Sequence, residues 1–248
     1  MKSWFVGLLL LICAQVGSAS AAPIDVVFDI DWTTFYTIDP DNKNQMDNKA
    51  ITVEHKTYRP TDHLGEVLER LLQYPDVRIS FFSGGGQSRN EALLKAFKLP
   101  SGRSAFDISY KVLSKDNLIE VSTDQSLGFA DRYKKNLAGV LPGAHVDRTI
   151  LIDDQVKFAV PPWKIVDSMG HFEFQIKFDH ITSGKAEYLP PTSEQWLAEK
   201  DKALMWLALI EQALHKSKRF HTPFSQELTK IWSQKSHLSL CKNVFAGN

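Results

Sequence analysis

The sequence predicts an α/β fold in which a mostly parallel central sheet is flanked by helices. Three short apolar segments have the length of buried strands, and segments with helical periodicity separate them. This alternation of strands and helices is typical of a parallel sheet, whose ligands bind beyond the carboxyl ends of the strands. Polar residues follow each apolar segment directly: Asp29 and Asp31 after the first, Ser83 after the second, and Asp153 and Asp154 after the third.

The first strand, at 26–28, leads into a polar and irregular region. Residues 34–59 contain one alternating segment, at 51–55, which predicts a short strand from half of a hairpin. Thr61 or Asp62 can cap the helix that follows. Its apolar residues recur at helical spacing: Leu64, Val67, Leu68, Leu71 and Leu72.

The middle of the chain carries the second buried strand, at 77–82. Ser88 with Glu91 matches the capping-box pattern and predicts a helix to about residue 97. The remaining patterns predict strand pieces at 105–108 and 112–113, a loop entering a helix at 129–137, the third buried strand at 149–152, and an alternating strand at 172–178.

The C-terminal region is predicted to be helical. Thr192 with Gln195 caps a long amphipathic helix to about Lys216, and a further helix is predicted at 225–234. The apolar stripe of the long helix favours packing against the core, and a homo-oligomer face is the alternative. We therefore divide the chain into a signal peptide at 1–21, a catalytic core at 22–190 and a C-terminal helical extension packed on that core at 191–248.

The N-terminus has the pattern of a cleaved export signal. Lys2 precedes an apolar run from Val6 to Cys13, and Ala19-Ser20-Ala21 is a small-residue cleavage site. The run is shorter than the ~20 residues that span a bilayer, so a membrane anchor is the weaker interpretation, as is lipid attachment at Cys13. We expect an exported protein, periplasmic or secreted, with Cys241 as the single cysteine after cleavage and no internal disulfide.

Composition excludes some classes of function. The 248 residues carry no formal net charge, so nothing in the charge indicates a nucleic-acid partner. Apolar residues make up 43% of the chain, as in an ordinary globular protein. The eight histidines and two cysteines show no spacing typical of a zinc site.

The acids after the first strand suggest covalent chemistry on phosphorus. Asp29 is the candidate nucleophile, because a carboxylate that attacks phosphorus forms an aspartyl-phosphate and divides one difficult displacement into two steps. Asp31 is the candidate general acid and base. We predict that Mg²⁺ binds to oxygens of Asp29, Asp153 and Asp154 and to the backbone carbonyl of Asp31.

The remaining candidates surround the phosphoryl group. Ser83 is predicted to bind its oxygens, whereas a simple strand-to-helix turn is the alternative for Ser83 and the glycines after it. We assign Thr33, Gly84 and Lys134 to substrate binding. Lys135 is assigned to phosphoryl neutralisation, although an adjacent pair of lysines is more often a solvated surface.

These residues together resemble the motifs of the haloacid dehalogenase superfamily. Its Asp-x-Asp-x-Thr motif is matched by Asp29, Asp31 and Thr33, and its strand ending in Ser or Thr is matched by Ser83. The family's lysine is matched by Lys135 or Lys134, and its acidic strand end by Asp153-Asp154. The resemblance covers about residues 24–160 and implies a Rossmann-like fold, Mg²⁺ and phosphatase chemistry.

Within that superfamily the chain looks most like the branch with minimal caps, which includes the C-terminal-domain and NLI-interacting-factor type. Tyr58-Arg59-Pro60 and Lys135-Asn136-Leu137 resemble short elements of that branch, which favours Lys135 over Lys134. Trp32 and Asp154 depart from the family pattern.

The sequence therefore predicts an exported Mg²⁺-dependent phosphatase that hydrolyses phosphomonoesters of unidentified structure. Two alternatives stay open. The first is a phosphotransferase, in which an alcohol replaces water in the second step. The second is a secreted binding protein with this fold and no turnover, because the bulk of Trp32 beside the acid and base would alter access of water.

Overall fold

A computed structural model describes residues 22–167, 170, 172–180 and 188–234. The predicted signal peptide, Cys13 and Cys241 lie outside these residues. The strands are β1 Ile24–Phe28, β2 Phe35–Ile38, β3 Ile51–Val53, β4 Lys56–Pro60, β5 Val77–Phe82, β6 Lys111–Leu113, β7 Ile119–Glu120, β8 Tyr133–Lys134, β9 Thr149–Asp153 and β10 Lys164–Asp167.

Helices lie between several of these strands, and three more helices follow the last strand. The α-helices are α1 Leu64–Leu71, α2 Gln87–Ala96, α3 Phe129–Arg132, α4 Ser193–Lys200, α5 Lys202–Phe220 and α6 Phe224–Gln234. Short 3₁₀ turns occur at Lys115–Asn117, Val156–Phe158 and Phe178–His180. Within the described residues, no helix is both long enough and apolar enough to cross a membrane.

The central sheet has five strands in the order β10-β9-β1-β5-β6, and each neighbouring pair is parallel. The prediction of an α/β fold with a mostly parallel central sheet is confirmed. β1 lies in the middle of this sheet, and all five of its residues are buried. A smaller antiparallel sheet has the order β2-β4-β3, and β7 pairs with β8.

The two faces of the central sheet pack against different layers. Val26 and Phe28 face a core that includes apolar residues of α1, α5 and α6, and Trp206 of α5 lies 5.8 Å from the ring of Phe28. Val27 faces the opposite side with Leu137 and neighbouring apolar residues. The apolar stripe of α5 is therefore buried in the core of this chain.

The first helix does not use either predicted cap. α1 begins after His63, a residue with a left-handed backbone (φ 62°) and no capping hydrogen bond from its side chain. The Thr61 hydroxyl donates to the carbonyl of Thr33 at 2.8 Å instead, and Asp62 pairs with Arg59 at 2.6 Å. Burial alone would raise the pKa of Asp62, but the Arg59 guanidinium lowers it to about 2.

The second helix also begins differently from the prediction. Gly86 is the residue before the first turn of α2, and the Ser88 hydroxyl contacts Glu54 at 3.2 Å rather than capping the helix. Glu91 accepts hydrogen bonds from Gln87 and Lys95, so the predicted capping box is not formed.

Three further sequence predictions are wrong. Residues 105–108 form turns, because Ser104 and Asp107 exchange hydrogen bonds with each other's backbone N–H at 3.1 Å. Residues 172–177 are irregular, and Phe174 packs on Tyr36. The long C-terminal helix is divided at Asp201 into α4 and α5.

Candidate active site

The carboxyl ends of β5, β1 and β9 meet at one edge of the central sheet. Asp29 follows β1, is 5% exposed, and donates its backbone N–H to the carbonyl of Ile152 at 2.8 Å. Ser83 follows β5, Asp153 ends β9, and both are completely buried. The pairing of these strands thus brings residues that are far apart in sequence to one place.

Lys135 joins two of these carboxylates. Its side chain is completely buried, and its amine donates to Asp29 Oδ1 and to Asp153 Oδ2 at 2.6 Å each. The backbone N–H of Lys135 donates to the carbonyl of Phe158 at 2.8 Å, which fixes this segment at the sheet edge. Burial opposes a charged amine, but Asp153 and Asp29 raise the pKa of Lys135 above its ordinary value. The amine therefore remains protonated.

Lys134 does not contribute to the same cluster. Its amine donates to the carbonyls of Ala130 and Lys157 at 2.6 and 2.7 Å. Adjacent residues of an extended segment point in opposite directions, so Lys134 and Lys135 cannot both enter the site. Of the two lysines, Lys135 alone contacts the carboxylates of this cluster, and the assignment of Lys134 to substrate binding stays a prediction.

The acids form a cluster with an excess of negative charge. Ligand oxygens of Asp29, Asp153 and Asp154 lie within 4.8 Å of one another. Burial raises the pKa of Asp29 well above its ordinary value; Lys135 opposes this effect, whereas the charges of Asp153, Asp154 and Asp31 add to it. The same burial raises the pKa of Asp153. A bound cation would relieve this repulsion and favour the ionised carboxylates.

The donor set fits Mg²⁺. Mg²⁺ prefers hard oxygen ligands and is commonly held by a few carboxylates with water or phosphate oxygens at the other positions. Asp29, Asp153 and Asp154 supply such oxygens, and Lys135 occupies only one oxygen each of Asp29 and Asp153. Lys135 also fixes the orientation of both side chains. The Asp31 side chain is not in this group, because its carboxylate accepts hydrogen bonds from Arg89 and Ser83.

Thr33 has a different position from the one expected of a substrate-binding residue. It is completely buried, and its hydroxyl accepts a hydrogen bond from the backbone N–H of Asp154 at 3.0 Å. The assignment of Thr33 to substrate binding stays a prediction. Thr33 joins the loop after β1 to the loop after β9, and so helps to place Asp154.

Asp31 is held by an arginine that the sequence analysis missed. Arg89 of α2 donates to both carboxylate oxygens of Asp31, at 2.8 and 2.6 Å. The Ser83 hydroxyl donates to the same carboxylate at 2.5 Å and accepts the N–H of Gly85 at 2.9 Å. Ser83 also accepts a hydrogen bond from Arg89 at 3.3 Å, so both residues orient Asp31, whose side chain is 35% exposed.

Two glycines make room for this arrangement. A Cβ atom at Gly85 would lie 1.6 Å from a guanidinium nitrogen of Arg89, so any other residue would force the guanidinium to shift from this place beside Asp31. A Cβ atom at Gly84 would lie 2.7 Å from the Phe129 ring. Gly84 therefore brings the backbone of the loop after β5 against an aromatic wall, and it lines the cleft.

The cleft above these residues has a volume of about 360 Å³. The carboxylates and glycines lie on one side, and aromatic rings of Trp32, Phe129 and Phe158 contribute the walls. Trp32 has a left-handed backbone (φ 63°), and its ring stacks with Tyr188 at 6.3 Å. A left-handed conformation is unusual for a bulky residue and persists only when its surroundings hold it.

One sequence signal marks Arg89. Arg89 lies in the first turn of α2, and no acidic residue lies in that turn. A cation is unfavourable near a helix N-terminus, where the helix dipole favours negative charge. An arginine at this position after a glycine-rich loop therefore indicates a nearby anion, which here is Asp31.

No family model matches the chain, and no curated protein matches it significantly. Among solved structures, a variant of the fission yeast RNA polymerase II CTD phosphatase Fcp1 bound to beryllium fluoride is similar, with 16% identity and a TM-score of 0.39 over 87% of this chain and 57% of that one. A second structure of Fcp1, described as an essential RNA polymerase II CTD phosphatase, shows 15% identity and a TM-score of 0.38 over 91% of this chain and 54% of that one. The chain spans a little over half the length of these proteins.

Proposed function

We propose that this protein is a Mg²⁺-dependent phosphatase that hydrolyses phosphomonoesters through an aspartyl-phosphate. The observation that carries the proposal is the position of Lys135, completely buried and 2.6 Å from both Asp29 and Asp153. A protonated lysine between two carboxylates, beside a third acid and under an open cleft, matches a centre that must balance several negative charges. A phosphoryl group brings further negative charge to such a centre.

The residues divide the reaction into two steps. A carboxylate oxygen of Asp29 attacks phosphorus, the phosphorus–oxygen bond to the leaving group breaks, and the leaving oxygen takes a proton from Asp31. Asp31 then removes a proton from water as the water oxygen attacks phosphorus. Inorganic phosphate leaves, and Asp29 is regenerated. Lys135 holds Asp29 in position and neutralises charge throughout.

Asp29, Asp153 and Asp154 would hold Mg²⁺ in this proposal. When bound, the cation supplies charge neutralisation for the phosphoryl oxygens and for the crowded acids. The protein's own contribution is to keep the carboxylates oriented, which Lys135 does for Asp29 and Asp153, and the Thr33 hydroxyl does for the backbone at Asp154.

Arg89 has a second task in this scheme. While both oxygens of Asp31 accept hydrogen bonds from Arg89, the carboxylate is engaged by the guanidinium and is not available to a leaving-group oxygen. A phosphoryl dianion that enters the cleft offers the guanidinium a stronger bidentate partner. Transfer of Arg89 from Asp31 to the phosphoryl group then frees Asp31 to act as acid and base.

The first experiment measures hydrolysis of p-nitrophenyl phosphate by the purified protein with Mg²⁺ and with chelator. Asp29→Asn is compared under both conditions. We expect activity that requires both the metal and Asp29. Full activity of Asp29→Asn would overturn the mechanism, and an added polyol that yields a new phosphate ester would favour the phosphotransferase.

The export prediction stays part of this proposal. Fractionation of producing cells, together with mass measurement of the mature N-terminus, tests whether cleavage occurs near Ala21. Full-length protein that stays with the cytoplasmic fraction would contradict export while leaving the phosphatase proposal intact.

A further inference from the structure

The loop between Asp31 and Thr33 is contacted from behind by the C-terminal helices. Lys202, at the first position of α5, is completely buried, and its amine donates to the carbonyl of Trp32 at 3.2 Å. This carbonyl belongs to the peptide that joins Trp32 to Thr33. A contact at this peptide therefore acts directly on the loop that carries Asp31.

Lys202 is itself held by a buried acid. Its amine pairs with Glu199 at the end of α4, and the same carboxylate oxygen accepts a hydrogen bond from the hydroxyl of Tyr36 on β2. Burial, together with the charge of Glu199, raises the pKa of Tyr36 well above its ordinary value, so the phenol stays neutral and donates. The cluster of Lys202, Glu199 and Tyr36 thus contacts the chain on both sides of the turn at 32–35.

The held turn is a strained one. Trp32 has φ 63°, and its N–H donates to the carbonyl of Phe35 at 2.8 Å, which closes the turn. A left-handed conformation costs on the order of 1 kcal/mol for a residue with a large side chain. The hydrogen bond from Lys202 stabilises this conformation, because it binds the carbonyl in the orientation that the turn imposes.

A buried ion pair of this kind is not explained by stability alone. Desolvation of a buried lysine and glutamate commonly cancels their attraction, and apolar residues of similar volume pack as well or better. One oxygen of Glu199 is buried without a hydrogen-bond partner among the described residues, which adds to the cost. Lys202 donates a hydrogen bond to the Trp32 carbonyl, and an apolar residue could not do so.

We propose that Lys202, oriented by Glu199, is a positioning residue that fixes the Trp32 turn and thereby aims Asp31 at the leaving-group oxygen. This inference rests on the proposed phosphatase function and on the role of Asp31 as general acid. Loss of the contact lets the turn relax, and Asp31 then donates its proton less efficiently. Substrate binding by Lys135 and the metal ligands is not expected to change.

The experiment compares two substrates that differ in their need for a general acid. p-Nitrophenyl phosphate has a good leaving group, whereas glycerol 2-phosphate has a poor one that requires protonation. The double variant Lys202→Met with Glu199→Gln removes both charges together and leaves an amide to accept from Tyr36. We expect kcat/KM for glycerol 2-phosphate to fall about 10-fold and kcat/KM for the nitrophenyl ester to fall less than about 2-fold. The comparison uses kcat/KM because this ratio reports the steps through loss of the leaving group, before Asp31 acts as a base on water.

Arg78→Met is the matched control. Arg78 pairs with the buried Asp25 at 2.7 Å near the opposite end of β1, so its loss breaks another ion pair with a buried member without touching the turn. We expect this variant to lose stability and to keep the wild-type ratio of the two activities. Equal losses on both substrates in the double variant, or the same ratio change in Arg78→Met, would overturn the inference.

A second variant decides the question if the double variant does not fold. Glu199→Gln alone weakens the hold on Lys202 but keeps its amine, and we expect a selective fall of about 3-fold on glycerol 2-phosphate. An unchanged ratio in this folded variant would overturn the inference. Asp31→Asn serves as the reference, because an Asp31→Asn protein that shows no selective loss contradicts the proposed function rather than the role of Lys202.

Discussion

The two ends of β1 carry two buried aspartates with different surroundings. Asp25, near the amino end, is completely buried and forms two hydrogen bonds with the guanidinium of Arg78, at 2.7 and 2.8 Å. Asp29, just after the carboxyl end, has one lysine partner and must share it with Asp153. Asp25 therefore has a guanidinium of its own, bound through two hydrogen bonds, whereas Asp29 shares one lysine amine with Asp153.

This difference separates a balanced ion pair from the cluster that we propose as the active site. At the amino end one negative charge meets one positive charge in a bidentate geometry, so the pair is balanced. At the carboxyl end the acids outnumber the cations, because Asp29, Asp153 and Asp154 lie close together around Lys135. A protein keeps such an imbalance at a site that binds a cation or performs chemistry, since the imbalance lowers stability.

The largest predicted effect follows from removing the Lys135 amine, which Asp29 and Asp153 share. Lys135→Met leaves two buried carboxylates without their common partner, and we expect kcat to fall at least about 10³-fold. Lys134→Met is the adjacent control, because its amine binds only the carbonyls of Ala130 and Lys157 among the described residues. Steady-state kinetics on p-nitrophenyl phosphate decides the matter, and similar losses in both variants would contradict the assignment.

The second prediction compares the same substitution at each end of β1. Asp25→Asn weakens a balanced pair, and we expect the free energy of unfolding to fall by about 2 kcal/mol while the folded protein keeps its activity. Asp29→Asn relieves repulsion, so its stability is expected to equal or exceed that of the wild type while activity is lost. Urea denaturation measures both, and a decrease for Asp29→Asn as large as that for Asp25→Asn would contradict the contrast.

The third prediction concerns pH and metal. The pKa of Asp29 is raised in the folded protein, so its contribution to stability is lost as the pH rises above its ordinary value of 3.8. We therefore expect Mg²⁺ to raise the melting temperature more at about pH 7.5 than at about pH 5. At the higher pH, metal at 100 times its Kd should add ~2.7 kcal/mol to the free energy of unfolding. Calorimetry on Asp153→Asn should show little of this gain; an equal gain there would place the metal elsewhere.

The contribution of Asp62 to stability depends on pH in the opposite direction to that of Asp29. Its pKa is lowered to about 2, so its contribution is present at neutral pH and is lost as the pH falls through that value. Stability lost on acidification below about pH 4 is therefore assigned to groups such as Asp62, and stability lost as the metal-free protein is brought toward neutral pH is assigned to the Asp29 cluster. Asp62→Asn should remove part of the first loss and none of the second.

The smallest predicted effect concerns Arg89. Arg89→Met removes the bidentate partner of Asp31 without touching the Lys135 cluster, and we expect KM for p-nitrophenyl phosphate to rise about 10-fold. An unchanged KM would exclude the proposed transfer of Arg89 to the substrate.

The sequence predicted the sheet and the meeting of its strand ends for a simple reason. Parallel strands place their carboxyl ends at one edge, so residues such as Asp29, Ser83 and Asp153 approach each other whatever the loops do. The direction in which a given side chain points was harder to predict from the sequence. The choice between Lys134 and Lys135 depends on which one faces inward from a short segment that pairs with β7 on one side and contacts Phe158 through the backbone of Lys135.

Local sequence patterns failed where side chains had tertiary partners. Thr61 and Asp62 are good helix caps in isolation, but the Thr33 carbonyl and Arg59 engage them before the helix begins. Arg89 was missed because its role depends on Gly85, which is ordinary in a turn and becomes informative only when the arginine lies across it. Tertiary contacts of this kind leave no periodic trace in the sequence.

The hydrogen bond between Lys202 and Trp32 has a consequence for the order in which the chain is made. The two residues are 170 positions apart, and the last strand of the central sheet ends at Asp167, well before α5. During synthesis the sheet and its strand ends can therefore assemble while the turn at Trp32 still lacks its partner. A nascent chain stopped before α5 would carry the proposed nucleophile, lysine and metal ligands, yet the turn beside Asp31 would still be unsupported. Full activity toward esters with poor leaving groups would therefore come only with about the last fifth of the polypeptide.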